Sequence, residues 1–564
     1  MIDSIRDYSE QCCVRNELSR WLNESGGGFH PNLVFGPTES DLSSLHKTSM
    51  GTCLFAIEPI SETEILATCT SELAITPQNS FKRLEELFKR YNDVKNPSVL
   101  SHEENFETFR KTLRSWKDNQ LTAFYLMLSK LAVELLTSSQ TLGNDSNRAS
   151  KKREDEGLTQ ILKSNLFTFH KPYIQTIPSS ESLTTPLYWK EQELEKLRFT
   201  DLYQAASQRK ESWCLEYEMM ACQIQKSFPT LFELMKQSLS CNDYIWANTI
   251  LSSRAFPSSL LEARKLSDQI NHDAFLPGHK RSLGDSKAVS EPTQILLPGI
   301  DALNHKRGAR VEWRSVHNCI ESSRVELVNL ETLIQQGNQV FNNYGPKSTA
   351  ELILGYGFAL GKEDWTAYKF GSDLTTNPDD FFHVKLVAPS RTEFSSTIIK
   401  SLFESFEVED LSHYVKRSEP IPELLLAQLR LLVLNDPGEI KTVERTFSHS
   451  KKSHSKTLFR DKFMEAMPPR ISWENELDCI DCLRSLLETK LSDLLKIDHE
   501  SEEESNWDGV REPIKRMIQI YRSGQQDILL HVIKTLEERF QRTIELANEN
   551  GVCYSRSDDE KDLL

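Results

Sequence analysis

The sequence predicts an α+β protein in which short β segments enclose a long helical insert and a helical region follows. Three observations carry that reading. Short apolar runs punctuated by glycine and proline occupy residues 32–76, and alternating polar and apolar runs return after Pro298. Between them, from Phe81 to about Asn248, apolar side chains recur at three- and four-residue steps, the spacing of a helix buried on one face. Beyond Gly361 the helical spacing dominates again.

Taken in order, residues 54–57, 65–68 and 73–75 read as strands between Gly51, Pro59 and Pro77. The insert is clearest where Leu121, Phe124, Tyr125, Leu128, Leu131 and Leu135 line up. Residues 138–157 hold few large apolar side chains and include Lys151-Lys152-Arg153, so they read as a loop. Strands are expected again at 311–316, 324–328 and 339–344, the first two forming a hairpin. Helices are expected at 421–435, 475–495 and 526–550; in the last, Leu529, Ile533, Leu536, Phe540 and Ile544 share a face that Asn550-Gly551 terminates. Residues 447–456 and 498–508 read as solvated loops. The expected organisation is residues 1–360 with an insertion at about 80–248, then a separate helical region over 361–564.

A chain of 564 residues exceeds one ordinary domain, and 38% hydrophobic with 27% charged residues is a soluble globular composition. The net charge of −16 repels polyanions and attracts basic partners, or serves solubility alone. Direct nucleic-acid binding is disfavoured and a basic protein substrate is favoured. Residues 1–20 lack the pattern of a secretory signal, and the longest aliphatic run, 424–434, is broken by Gln428 and Arg430, so no membrane span is expected. The eleven cysteines have no repeating spacing, which reads as reduced thiols in an intracellular compartment. Cys479 and Cys482 form the one CxxC pair and lack a second pair, so they read as structural thiols. The expected location is the cytoplasm, with the basic trio at 151–153 leaving nuclear import open.

Two runs carry the chemistry. LLPGIDALNH, ending at His305, sets Asp301, Asn304 and His305 just beyond an apolar strand and a Pro298-Gly299 turn. FNNYGPKSTAELILGYGF, ending at Phe358, sets Tyr344 at a strand end and Tyr356 and Phe358 beyond a short helix. Amides, aromatics and a phenol are poor hydrolytic equipment, but they suit holding a sulfonium cofactor and an amine in line. Each residue alone has a plainer reading: Tyr356 and Phe358 as core packing, Arg254 as a structural or surface ion pair, Asp301 as a brace for the Asn304 loop. A metal reading of Asp301 with His305 lacks a third ligand, so no metal is expected.

With LSSRAF at 251–256 and MGTCLFA at 50–56, these runs resemble the SET domain of protein lysine methyltransferases, in the branch of the Rubisco large-subunit methyltransferase and the fungal enzymes that modify ribosomal proteins and elongation factors. The resemblance implies a β-rich SET fold with a knot-like crossing and a helical insertion, followed by an all-helical C-terminal substrate-binding domain. It implies S-adenosyl-L-methionine as cofactor, with Thr52, Cys53 and Leu54 on the loop facing it and Arg254 on its carboxylate. Asp301, Asn304, His305, Tyr344 and Phe358 would complete that pocket. Tyr344 would orient the amine or polarise the methyl group, and Tyr356 would wall the substrate channel. Cys53 replaces the loop's usual second glycine, and Thr349 stands where an asparagine is common, as another residue able to cap a helix. The implied activity is protein-lysine N-methylation of a non-histone protein, with a ribosomal protein or elongation factor as the expected substrate, by a monomer. Histidine methylation of a cytoskeletal protein and a catalytically silent SET-like binding module are the alternatives.

Overall fold

The computed structural model describes residues 2–36, 53–95, 102–141, 156–262, 293–317, 323–362, 377–386, 411–450, 463–464, 467–500 and 507–553. Most of the expected loop residues at 138–157, 447–456 and 498–508, Thr52 and the basic trio at 151–153 lie outside them.

The front and middle β segments meet in one antiparallel sheet. Its strands are β1 (Gly28–Phe29), β5 (Ile65–Thr70), β9 (Ser323–Asn329) and β8 (Val311–His317), in the order β1-β5-β9-β8. The expected hairpin forms with Val311 opposite Asn329 and His317 opposite Ser323. Val325 and Leu327 point into the main core, while Glu326 on the other face is buried beneath Arg314 and Arg324, which pair with both its oxygens. Smaller ladders join β2 (Leu33–Phe35) to β3 (Leu54–Ala56), β4 (Ile60–Ser61) to β10 (Leu333–Ile334), and β6 (Ala255–Pro257) to β7 (Gln294–Leu296).

Two expected strands are not strands. Within residues 73–75 only Ile75 pairs, through a bridge to Leu296, and Pro77 opens the helix Pro77–Lys95, where its missing N–H costs nothing. Residues 339–344 make isolated bridges, Gln339 antiparallel to Phe55 and Asn342 parallel to His305. The physical reason is a change of partner within a few residues: Val340 N–H donates to the Leu54 carbonyl, and Asn342 N–H donates to that of Asn304.

Between Pro77 and Arg254 the described elements are helices. The central one, Asp118–Thr141, is buried nearly all round over 121–128, which explains its dense run of apolar residues. Cys214 and Cys241 are joined in a disulfide between Asp201–Ser227 and Cys241–Arg254, a departure from the expectation of free thiols that spacing alone does not reveal.

The C-terminal region is helical, as expected, with one addition. A two-stranded ribbon, β11 (Phe382–Lys385) with β12 (Ser412–Val415), packs on Glu423–Leu432, Trp473–Glu500 and Glu512–Glu549. The last helix begins fourteen residues before the expected 526 and runs through buried Gly524. Gly524 costs about 1 kcal/mol of helix propensity, and packing on both sides outweighs it. Its first half buries Ile514, Met517, Ile518 and Tyr521 against Trp189, Leu197, Leu202 and Ile353. Its second half buries Leu529 and Leu536 in the ribbon's core.

Candidate active site

The β6/β7 ladder pairs Ala255 with Leu296 and so brings Arg254, the last residue of its helix, beside the turn after β7. Gly299 takes φ of +93° in that turn, a conformation costly for any residue with a Cβ, and Asp301 follows in a single 3₁₀ turn. The Asp301 carboxylate is buried. Its Oδ2 accepts from the Tyr173 hydroxyl at 2.7 Å and from Arg254 Nη1 at 3.2 Å, and Nη1 also donates to the Asp301 carbonyl at 3.0 Å. Burial raises this carboxyl above its usual range, against the pull of Arg254 and Tyr173. Asp301 is thus a brace, but its partners are Arg254 and the helical insert, not the Asn304 loop. Both bonds leave from Nη1, so among the described residues the N–H donors of Arg254 Nε and Nη2 face no acceptor.

The centre of the site is the crossing of two segments. Asn342 N–H donates to the Asn304 carbonyl at 2.8 Å and Lys306 N–H to the Asn342 carbonyl at 3.0 Å. Asn342 itself is fully buried, its Oδ1 accepting from Trp313 Nε1 and from Asn343 N–H. His305 Nδ1 accepts from the Tyr344 backbone N–H at 3.0 Å, so the neutral ring carries its proton on Nε2. Burial, with Arg307 and Lys347 nearby, lowers the His305 pKa to about 4 and keeps it neutral.

Tyr344 is held at both ends. Its hydroxyl donates to the Leu303 carbonyl at 2.9 Å, which commits the only proton and leaves the oxygen lone pairs to accept. Its ring stacks on His305 at 5.0 Å and on Tyr356 at 5.1 Å, with Phe358 6.3 Å from His305 and 6.2 Å from Tyr356. Burial pushes the Tyr356 phenol up to about 12 and the Tyr344 phenol higher still, so both are neutral at ordinary pH.

The segment that presents Tyr356 and Phe358 starts at a capping box. Ser348 Oγ accepts from Glu351 N–H, and the Glu351 carboxylate accepts from Ser348 N–H and Oγ. Ser348, and not Thr349, is therefore the cap; Thr349 is buried at the first helical position. The helix widens into a π turn over Leu352–Tyr356 and stops at Gly357, whose φ is +79°. A Cβ there would lie 2.6 Å from Thr184 Oγ1 and 2.9 Å from Thr185 N, so glycine is required on both counts.

Of the expected cofactor loop, Cys53 is half-buried with its Sγ 3.4 Å from Asn304 Nδ2, which ties that loop to the crossing. Leu54 is a buried strand residue whose carbonyl accepts from Val340 N–H. Sequence reasoning missed Tyr173, Leu303 and Asn342. The Asn342-Asn343 pair ahead of Tyr344-Gly345 is a local signal for the last; nothing local marks the other two. Among the described residues no cluster of three or more His, Cys, Asp or Glu could hold a metal.

This architecture is a SET fold followed by a mainly helical region. The chain matches the crystal structure of the SET domain of LSMT bound to lysine and AdoHcy at a TM-score of 0.58 and 16% identity, over 98% of each chain. It matches Rubisco LSMT bound to AdoMet at 0.56 and 16% identity, over 98% of this chain and 99% of that one. Residues 379–529 match the Rubisco LSMT substrate-binding family. By sequence the chain is similar to the ribosomal lysine N-methyltransferase set10 of Schizosaccharomyces pombe, 36% identical over 33% of this chain and 27% of that protein. It is similar to the protein-lysine N-methyltransferase EFM1 of Saccharomyces cerevisiae, 26% identical over 55% and 53%, and to the actin-histidine N-methyltransferase of Gallus gallus, 26% identical over 59% and 46%. The chain thus spans about a quarter to a half of the length of these relatives.

Proposed function

We propose that this chain is an S-adenosylmethionine-dependent protein-lysine N-methyltransferase acting in the cytoplasm on a ribosomal protein or a translation elongation factor. The observation that carries the reading is the Tyr344 phenol: neutral, its proton committed to Leu303, its lone pairs available, and stacked in the aromatic set beside Asn304 and His305. The relatives that methylate lysine, set10 and EFM1, support the choice of acceptor. The proposal keeps the division near residue 361.

The residues fit the cofactor. Arg254 keeps donors suited to a carboxylate, and Asp301 Oδ1 and Asn342 Nδ2 are buried atoms with no protein partner among the described residues, one an acceptor and one a donor. Asn304, His305 and the loop at Cys53 border the same crossing. Bound there, S-adenosylmethionine supplies an electrophilic methyl group on a sulfonium centre.

A lysine amine has an ordinary pKa of about 10.4 and must be neutral to attack. Desolvation between Tyr344, Tyr356 and Phe358 disfavours the charged ammonium form, and its proton is lost to water as the side chain enters. Tyr344 Oη accepts an N–H of the amine and so points its lone pair along one line. With its own pKa raised, Tyr344 orients and does not act as a base.

The test is methyl transfer from radiolabelled S-adenosylmethionine into an extract lacking this protein, followed by mass spectrometry of the labelled band. Methyl-lysine in a ribosomal protein or elongation factor is expected. The match to an actin-histidine methyltransferase favours a second reading, which labelled methyl-histidine would establish in place of the first. No saturable binding of S-adenosylmethionine would leave a silent binding module.

A further inference from the structure

Residues 377–380 touch both arms of the crossing. On the His305 arm, Arg307 Nη1 donates to Asn377 Oδ1 at 2.8 Å and Nη2 pairs with Asp379 Oδ2 at 2.6 Å. On the Tyr344 arm, Asn377 Nδ2 donates to the Lys347 carbonyl at 2.9 Å. Asp380 completes the grip: Oδ1 accepts from Thr349 N–H at 2.5 Å and Oδ2 from Thr349 Oγ1 at 2.9 Å, with both residues buried. The same turn leads straight into β11, and Gln525 of the last helix donates to the Phe381 carbonyl at 3.0 Å.

The first three bonds would hold any loop. The Asp380 pair is different, because it fixes the first turn of the helix that ends in Tyr356. Two charge-assisted bonds from one carboxylate to a single residue leave that turn no freedom to rotate. Ile520 of the last helix packs, as Tyr356 and Phe358 do, against the buried pair Leu352 and Leu360, so the aromatic wall and the C-terminal region share one small core.

We propose that Asp380 is a positioning residue for the methyl transfer assigned above: its carboxylate locks the segment carrying Tyr344 and Tyr356 to the region that matches a substrate-binding family, so that the acceptor wall is set by the part of the chain that grips the protein. The inference rests on the proposed function. It concerns a residue that touches neither cofactor nor acceptor.

The environment of Asp380 gives the lock a pH dependence. Burial lifts its carboxyl to about 6, against the Thr349 donors and Arg307 and with the help of Asp379. Tyr521 of the last helix faces it, with Asp201 beyond. The Thr349 donors favour the carboxylate, but the burial they sit in disfavours its charge by more. A carboxyl raised above its ordinary 3.8 gives up its proton when it is exposed, so opening of the lock becomes easier as pH rises through about 6 and harder below it.

Asp380→Asn and Thr349→Val, made in the full chain, test this. Three quantities are read: amide hydrogen exchange over residues 345–356, affinity for S-adenosylmethionine, and initial methyl transfer into total ribosomal protein from pH 5.5 to 8. For Asp380→Asn, exchange over 345–356 should accelerate by about tenfold, the equivalent of one charge-assisted bond. Cofactor affinity should stay within about threefold, and transfer at pH 8 should fall by about tenfold. Opening of wild type over 345–356, corrected for the intrinsic exchange rate, should become easier as pH rises through about 6, and the variant should lack that dependence. Thr349→Val keeps the N–H bond and should fall between the two, and it carries the test should Asp380→Asn not fold. Unchanged exchange over 345–356 together with unchanged methyl transfer at pH 8 overturns the proposal. Failure of the activity itself is told apart at once, because wild type would then bind no S-adenosylmethionine.

Discussion

Replacing Tyr344 by phenylalanine removes one oxygen and leaves the ring in place. The stacks with His305 at 5.0 Å and Tyr356 at 5.1 Å do not involve the hydroxyl and should persist. What is lost is the bond to the Leu303 carbonyl at 2.9 Å, and since Leu303 is buried its carbonyl is left without that donor. That orphaned acceptor costs about 1–2 kcal/mol of stability. The catalytic loss should be larger than the stability loss, because an amine no longer held in line explores poses that do not react, and misplacement by about 1 Å costs roughly 10²-fold. Tyr344→Phe should therefore fold, melt a few degrees lower, bind S-adenosylmethionine within about threefold of wild type and transfer methyl roughly 10²-fold more slowly. Calorimetric titration of the cofactor and scintillation counting of labelled ribosomal protein measure the two halves. Full transfer by Tyr344→Phe would refute the assignment of the phenol. A loss of cofactor binding as large as the loss of rate would refute the separation of the two roles.

Arg254→Lys keeps a cation beside Asp301 but loses the planar fork, so cofactor affinity should fall at least about tenfold; an unchanged dissociation constant in titration removes Arg254 from the pocket. Gly357→Ala must place a Cβ against Thr184 and Thr185 at positive φ and should cost at least about 2 kcal/mol, whereas Gly355→Ala, which meets nothing within 4 Å, should be tolerated; thermal melts of the pair decide it. Two buried histidines give an acid-sensitivity prediction. His305 and His170 have pKa values lowered to about 4 and about 3, below the ordinary 6.5, so the unfolded chain takes up protons that the folded chain refuses. The stabilisation is fully present above about pH 6.5 and drains as pH falls, by roughly 2–3 kcal/mol for each histidine by pH 4.5. Proton uptake on unfolding at pH 5, measured by calorimetry in buffers of different ionisation enthalpy, should drop by about one proton in His170→Gln; no drop would show that this imidazole titrates normally.

The parts of the fold legible in the sequence were those written locally. The hairpin of Val311–His317 and Ser323–Asn329 alternates and ends at turns, and the helical insert repeats its apolar residues at the right steps. Gly299 and the Pro298 before it announced the turn that places Asp301. What stayed hidden depends on distance or on backbone. Tyr173 and Asp301 are 128 residues apart, and Thr184 and Gly357 173 apart, with no local pattern at either end. The acceptor for Tyr344 is a main-chain carbonyl, which every residue owns and no spacing singles out. The segment 339–344 read as a strand because its alternation is real, yet alternation reports a two-faced environment and says nothing about how many residues one partner supplies.

The helical insert would be an obvious candidate for excision in any attempt to carve out a minimal catalytic core. Its placement argues against that surgery. Tyr173 supplies the hydroxyl that the buried Asp301 carboxylate relies on, Thr184 accommodates Gly357 between the two aromatics, and Glu193 grips Arg511 at the start of the last helix. A shortened chain would keep Arg254, Asn304, His305 and Tyr344 in its sequence and lose the packing that gives them a common geometry. The insert is thus part of the frame that gives the candidate site its geometry, and a shortened chain that lacks residues 156–262 should lose that geometry even with every site residue outside that span present.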